Sequence, residues 1–73
     1  MTLGRKIRIR RTELGMTQPE LAGAAKLSQG YISKIERDDC IPKETTLIVL
    51  AVALKTSQEE LMNEVSLMKQ QVS

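Results

Sequence analysis

Within the stretch "QGYISKIER", residues 29–37, five positions recur at i, i+1, i+4, i+5 and i+8: Gln29, Gly30, Ser33, Lys34 and Arg37. On a helix that spacing draws one continuous polar stripe. Its side chains donate and accept hydrogen bonds, and none is acidic. An amide such as Gln29 can engage both polar atoms of an adenine edge, Lys34 can donate to guanine acceptors, and Ser33 works in either direction. Gly30 adds no side chain, so a backbone or a thymine methyl can come close. This is the chemistry of recognition rather than of bond breaking. The bland alternative is a solvated helix face with no partner.

Bond-breaking chemistry has little to work with. The chain has no histidine, and its lone cysteine, Cys40, stands in no motif that pairs it with a base. There is no phosphate-cradling glycine loop and no metal-ligand spacing. Asp38 and Asp39 are adjacent before a proline, which reads as solvated turn chemistry. No enzymatic activity, cofactor, metal or small-molecule ligand is therefore expected. No apolar run reaches the roughly 20 residues of a membrane span, and no apolar stretch follows the basic N-terminus as a signal peptide requires. A single cysteine excludes an internal disulfide and fits a reducing, cytoplasmic setting. A redox switch is the other reading of that thiol.

Charge is unevenly placed. Residues 1–37 hold eight Lys/Arg against three Asp/Glu, whereas residues 38–73 hold three against six, so a net +2 conceals a basic first half. A basic half points that surface towards a polyanion, most plausibly nucleic acid.

The stripe needs a helix, and the punctuation predicts five. With 73 residues, no Phe, no Trp and one Tyr, the chain reads as one small all-α domain. A first helix over about Leu3–Leu14 stops at Gly15. A second opens on "TQPE", where Thr17 and Glu20 form a capping box and Pro19 sits in the first turn. Ser28 caps the third helix, and the pairs Met16/Leu21 and Leu27/Ile32 have the spacing of hydrophobic staples. A fourth runs from after Pro42 to about Lys55. A fifth starts on "SQEE" as a second capping box, Ser57 with Glu60. Leu3, Ile7 and Leu14 face inward on the first helix, Leu21, Ala22 and Ala25 on the second, and Ile32 and Ile35 on the third. Residues 17–37 thus form a capped helix, a short turn and a second helix. That unit places its second helix in the major groove of DNA, with the N-termini of both helices offering amide donors to phosphate.

The run from Leu3 to Met62 resembles the phage Cro and repressor type of helix-turn-helix domain, the XRE family. The motifs that carry the likeness are "TQPELA", "LSQGYISKIER", the proline in the following loop, and "LAVAL…SQEEL". The resemblance implies a compact five-helix lambda-repressor-like fold over residues 1–62, binding double-stranded DNA as a homodimer on a near-palindromic operator. It implies that Gln29, Gly30, Ser33 and Lys34 face base edges and that Gln18 clamps a phosphate at the start of the second helix. Tyr31 and Arg37 then lie near the backbone, with Arg11, Thr17, Ser28 and Lys43 completing that set. Members of the family often pair an arginine at the Arg11 position with the glutamate that ends the recognition helix, here Glu36. Arg11 also falls on the apolar side of its helix and needs a partner, so an Arg11–Glu36 ion pair is expected. The chain departs from the family in three places. Lys26 and Asp38 stand where glycine is common, and Arg10 where an apolar residue is common.

Leu47, Leu50, Ala51 and Leu54 suffice for the inner face of the fourth helix, yet Ile48, Val49 and Val52 are apolar too. Continued through residues 63–73, the fifth helix would align Leu61, Val65, Met68 and Val72. These seven residues, Ile48 to Val72, are the expected dimer interface; the alternative is that the stripe packs on the domain's own core. Three functional readings follow: a transcriptional repressor, a controller protein of a restriction–modification system, or a protein-interaction adapter that kept the fold and lost DNA binding. With no sensor domain in these 73 residues, regulation by a built-in sensor is not expected.

Overall fold

The computed structural model describes residues 2–62. Among them are five helices and no strand: α1 Leu3–Glu13, α2 Gln18–Ala25, α3 Gln29–Glu36, α4 Glu44–Ala53 and α5 Gln58–Met62. The described residues are all-α, with the five expected helices.

Local chemistry sets the helix starts. Thr2 Oγ1 accepts from Arg5 N at 3.2 Å and Ser28 Oγ from Tyr31 N at 3.1 Å. At Thr17 the box closes in both directions: Glu20 N donates to Thr17 Oγ1 at 3.2 Å and Thr17 N to Glu20 Oε1 at 2.8 Å. Each such cap is worth about 1 kcal/mol. At Ser57 only half of the expected box forms, through Glu60 N to Ser57 Oγ at 3.0 Å. The Glu60 side chain instead lines a groove beside Lys6 and Arg10. The fourth helix begins at Glu44, two residues after Pro42. Lys43 occupies its N-cap without a side-chain capping bond.

The helix ends share one device. After α1, α2, α3 and α4 a residue turns left-handed: Gly15 (φ 72°), Lys26 (59°), Asp38 (64°) and Lys55 (56°). The amide that follows each reaches back five residues: Met16 to Arg11, Leu27 to Ala22, Asp39 to Lys34 and Thr56 to Ala51, at 2.8–3.0 Å. Three of the four are not glycine, a choice that costs about 1–2 kcal/mol each before compensation. At Asp38 the compensation is visible. Its carboxylate accepts from Gly4 N at 3.2 Å and from Thr2 Oγ1 at 2.7 Å, clasping the start of α1 to the end of α3. The approach is close enough that a Cβ on Gly4 would collide with the Ile35 carbonyl and lie 2.7 Å from Asp38 Oδ1.

The core is built from Leu3 and Ile7 of α1, Leu21, Ala22 and Ala25 of α2, Ile32 and Ile35 of α3, Leu47, Leu50 and Ala51 of α4, then Leu54 and Leu61. Among the described residues no buried side-chain nitrogen or oxygen lacks a partner. Arg10, at a position the family usually fills with an apolar side chain, caps α4. Its Nε donates to Leu54 O at 2.9 Å and its Nη2 to Lys55 O at 3.0 Å. The Leu54 carbonyl belongs to the orphan set that every helix C-terminus leaves, and that of Lys55 lies one residue beyond it. Arg10 therefore fastens α1 to the end of α4.

Candidate nucleic-acid interface

The third helix divides by face. Ile32, Ile35 and Glu36 are buried, while Gln29, Gly30 and Lys34 are exposed and Ser33 is half-buried. The expected base-reading residues therefore share one open face that starts directly after the Ser28 cap. Gly30 is open as well, since a Cβ there would meet nothing within 4 Å. Packing does not call for glycine at this position, although a glycine inside a helix costs roughly 0.5–1 kcal/mol relative to alanine.

At the far end of the stripe Arg37 leans back over it. Its Nη1 donates to Ser33 Oγ at 2.8 Å and its Nε to Asp39 Oδ2 at 3.0 Å. A serine hydroxyl that accepts through its oxygen still has its own hydrogen to give. Ser33 is thereby biased towards donating, which suits a purine N7 or a carbonyl acceptor.

Behind the stripe lies a buried polar knot. Arg11 Nε donates to Glu36 Oε2 at 2.7 Å, Arg11 Nη2 to Glu36 Oε1 at 3.1 Å, and Arg11 Nη1 to Met16 O at 2.8 Å. The side chains are 12% and 3% exposed, so this is a desolvated, bidentate pair. Gln18 Nε2 adds a third donor to Glu36 Oε1 at 3.1 Å. That bond had no signature in the sequence. It holds the Gln18 amide against α3, leaving its second N–H and its carbonyl oxygen for any contact outside. One carboxylate thus ties together α1, the first turn of α2 and the end of α3.

The other sequence-chosen residues fall as follows. Thr17, Ser28, Arg37 and Lys43 are exposed, and Tyr31 is half-buried with its side chain packed against the core. Ile48, Val49 and Val52 lie on the outer face of α4 at 44%, 41% and 73% exposure. Leu61 requires a correction. At 2% exposure it belongs to the domain's own core, and its side chain is not available to a second copy. The period that aligned it with Val65 and Met68 cannot distinguish a core stripe from an interface stripe. Val65, Met68 and Val72 lie outside the described residues. Cys40 is a free, half-buried thiol packed against the core. Among the described residues no helix is long and apolar enough to cross a membrane, and no cluster of residues could hold a metal ion.

A capped helix, a left-handed turn and a second helix with an open, non-acidic face define the class of lambda-repressor-like helix-turn-helix DNA-binding proteins, which is not a class of enzymes. The chain belongs to the helix-turn-helix domain family, whose model matches residues 2–63. It is 38% identical over 71 residues to the immunity repressor protein of Bacillus phage phi105, covering 97% of this chain and 49% of that protein. The chain thus spans about half the length of that relative. The structure matches the P22 c2 repressor, solved in complex with a synthetic operator, with a TM-score of 0.81 and 32% identity over 86% of this chain and 96% of that one. It also matches the restriction–modification controller protein C.AhdI of Aeromonas hydrophila, with a TM-score of 0.79 and 30% identity over 81% and 89% of the two chains.

Proposed function

We propose that this chain is a transcriptional repressor that binds a near-palindromic operator in double-stranded DNA as a homodimer. The observation that carries the reading is the face of α3 behind its capped N-terminus, where Gln29, Gly30 and Lys34 are exposed and Ser33 is half-buried beside them. The likeness to a phage immunity repressor and to an operator-bound repressor supports it. In this reading α3 enters the major groove, and the base-facing stripe supplies sequence discrimination. The amides at the starts of α2 and α3 take phosphates together with Thr17, Gln18, Ser28, Tyr31, Arg37 and Lys43. Arg11 positions α3 through Glu36 and lies close enough to the surface to add a phosphate contact. The outer face of α4 (Ile48, Val49 and Val52) joins two copies. Two recognition helices then meet half-sites about one helical turn, ~34 Å, apart.

Selection of bound sequences from random DNA tests this. Enrichment of two inverted half-sites is the expected result, and recovery of unenriched DNA would refute it. A second reading, a controller protein of a restriction–modification system, is favoured by the match to 89% of the length of C.AhdI. The two share the interface and differ in genetic context.

A further inference from the structure

Two of the left-handed helix ends are lysines, and they are not equivalent. Lys26 and Lys55 both follow a helix C-terminus, where a cation is favourable against the helix dipole, and both carry a conformation that glycine adopts without cost. Lys55 also supplies its carbonyl to Arg10, a backbone bond that any residue could make. Lys26 sits in the turn between α2 and α3, two residues before the Ser28 cap of α3. Its side chain is exposed, and among the described residues its ammonium makes no hydrogen bond or ion pair.

We propose that Lys26 is a phosphate-binding residue of the DNA interface, reaching from the helix-turn-helix turn to the backbone beside the N-terminus of α3. The inference rests on the DNA-binding reading above. Two residues of chain span at most ~7 Å, and a lysine side chain is about as long, so its ammonium has the reach to meet a phosphate held at Ser28 and the first amides of α3. A phosphate drawn to that N-terminus by the free N–H groups and the helix dipole comes within its range. The lysine adds a full charge where the helix end supplies only partial ones, and it carries no base preference because an ammonium meets phosphate as a point charge.

The substitution Lys26→Gln removes the charge while keeping a side chain in the same backbone conformation, and Lys55→Gln does the same at the remote end. Both are compared with the unmodified 73-residue chain by fluorescence anisotropy on two duplexes, one recovered by selection and one of random sequence, over a range of salt concentrations. Thermal unfolding is measured alongside, so that any loss of fold is seen directly. For Lys26→Gln the expected result is about threefold weaker binding per half-site on both duplexes. The slope of log affinity against log salt should flatten by about 0.9 per half-site, the share of one phosphate. Lys55→Gln should change neither. A slope unchanged in Lys26→Gln overturns the assignment, as does equal flattening in Lys55→Gln, which would reduce the effect to net charge. If the unmodified chain binds neither duplex with salt dependence, the DNA-binding reading itself falls, an outcome distinct from either of these.

Discussion

Removing the Glu36 carboxylate tests how α3 is held. In the folded chain that group is 3% exposed and accepts three hydrogen bonds, two from Arg11 and one from Gln18. The substitution Glu36→Ala leaves Arg11, itself 12% exposed, with only the Met16 carbonyl as partner. Stranding one member of a buried ion pair costs about 3–5 kcal/mol, whereas an exposed pair would cost well under 1. At about 0.05–0.15 kcal/mol per residue, a chain of 73 residues has roughly 4–11 kcal/mol of stability to lose. The midpoint of thermal unfolding should therefore fall by at least ~12 °C, at about 4–8 °C per kcal/mol for a domain this small. Urea denaturation followed by far-UV circular dichroism suits a chain with one tyrosine and no tryptophan. The double variant Arg11→Met with Glu36→Leu fills the same space without charge and should recover at least half of the loss, because the desolvation cost disappears with the pair. Its affinity for DNA should remain reduced, since Gln18 loses its anchor on Glu36 and the phosphate contact proposed for Arg11 goes with the guanidinium. A cost below 1 kcal/mol for Glu36→Ala, or a double variant as unstable as the single one, would refute the reasoning.

Other outcomes follow from the same geometry. Gly30→Ala should raise stability by about 0.5–1 kcal/mol, because the added methyl meets open space, while weakening DNA binding if the backbone approaches a base there; urea melts and anisotropy on one sample read both signs. Gly4→Ala should cost 2 kcal/mol or more, as its Cβ collides with the Ile35 carbonyl and pushes α1 off the Asp38 clasp; a neutral result in the same melts would contradict that packing. Val52→Glu places a charge on a residue that is 73% exposed, so monomer stability should barely move while self-association is lost; sedimentation equilibrium distinguishes this from a surface without a dimer role.

Local and periodic features of the structure were readable from the residues. The caps at Thr17 and Ser28 have signatures three residues wide, and the inward faces of α1 to α4 follow the helical repeat. The Arg11–Glu36 pair was legible in two parts: a charge on an apolar face demands a partner, and the family resemblance supplied Glu36 as that partner. What escaped is the set of bonds between a side chain and a distant backbone. The Asp38 clasp on Gly4 spans 34 positions and the Arg10 cap on Leu54 spans 44, and neither has a period or a local motif to announce it. Both occur where the chain departs from its family's usual residue, so the departures were visible but their compensation was not. Leu61 shows the converse limit, since an apolar period states that a stripe is covered and leaves open by what.

The central claim is that the open stripe of α3 reads base edges. It is tested most directly by titrating the unmodified chain and its Gln29→Ala variant against a selected duplex in which each position of the half-site is changed in turn to all four base pairs. The account predicts that Gln29→Ala loses about 1–3 kcal/mol of discrimination at one base-pair position per half-site and keeps the rest of the profile. Uniform weakening at every position, or an unchanged profile, would contradict it.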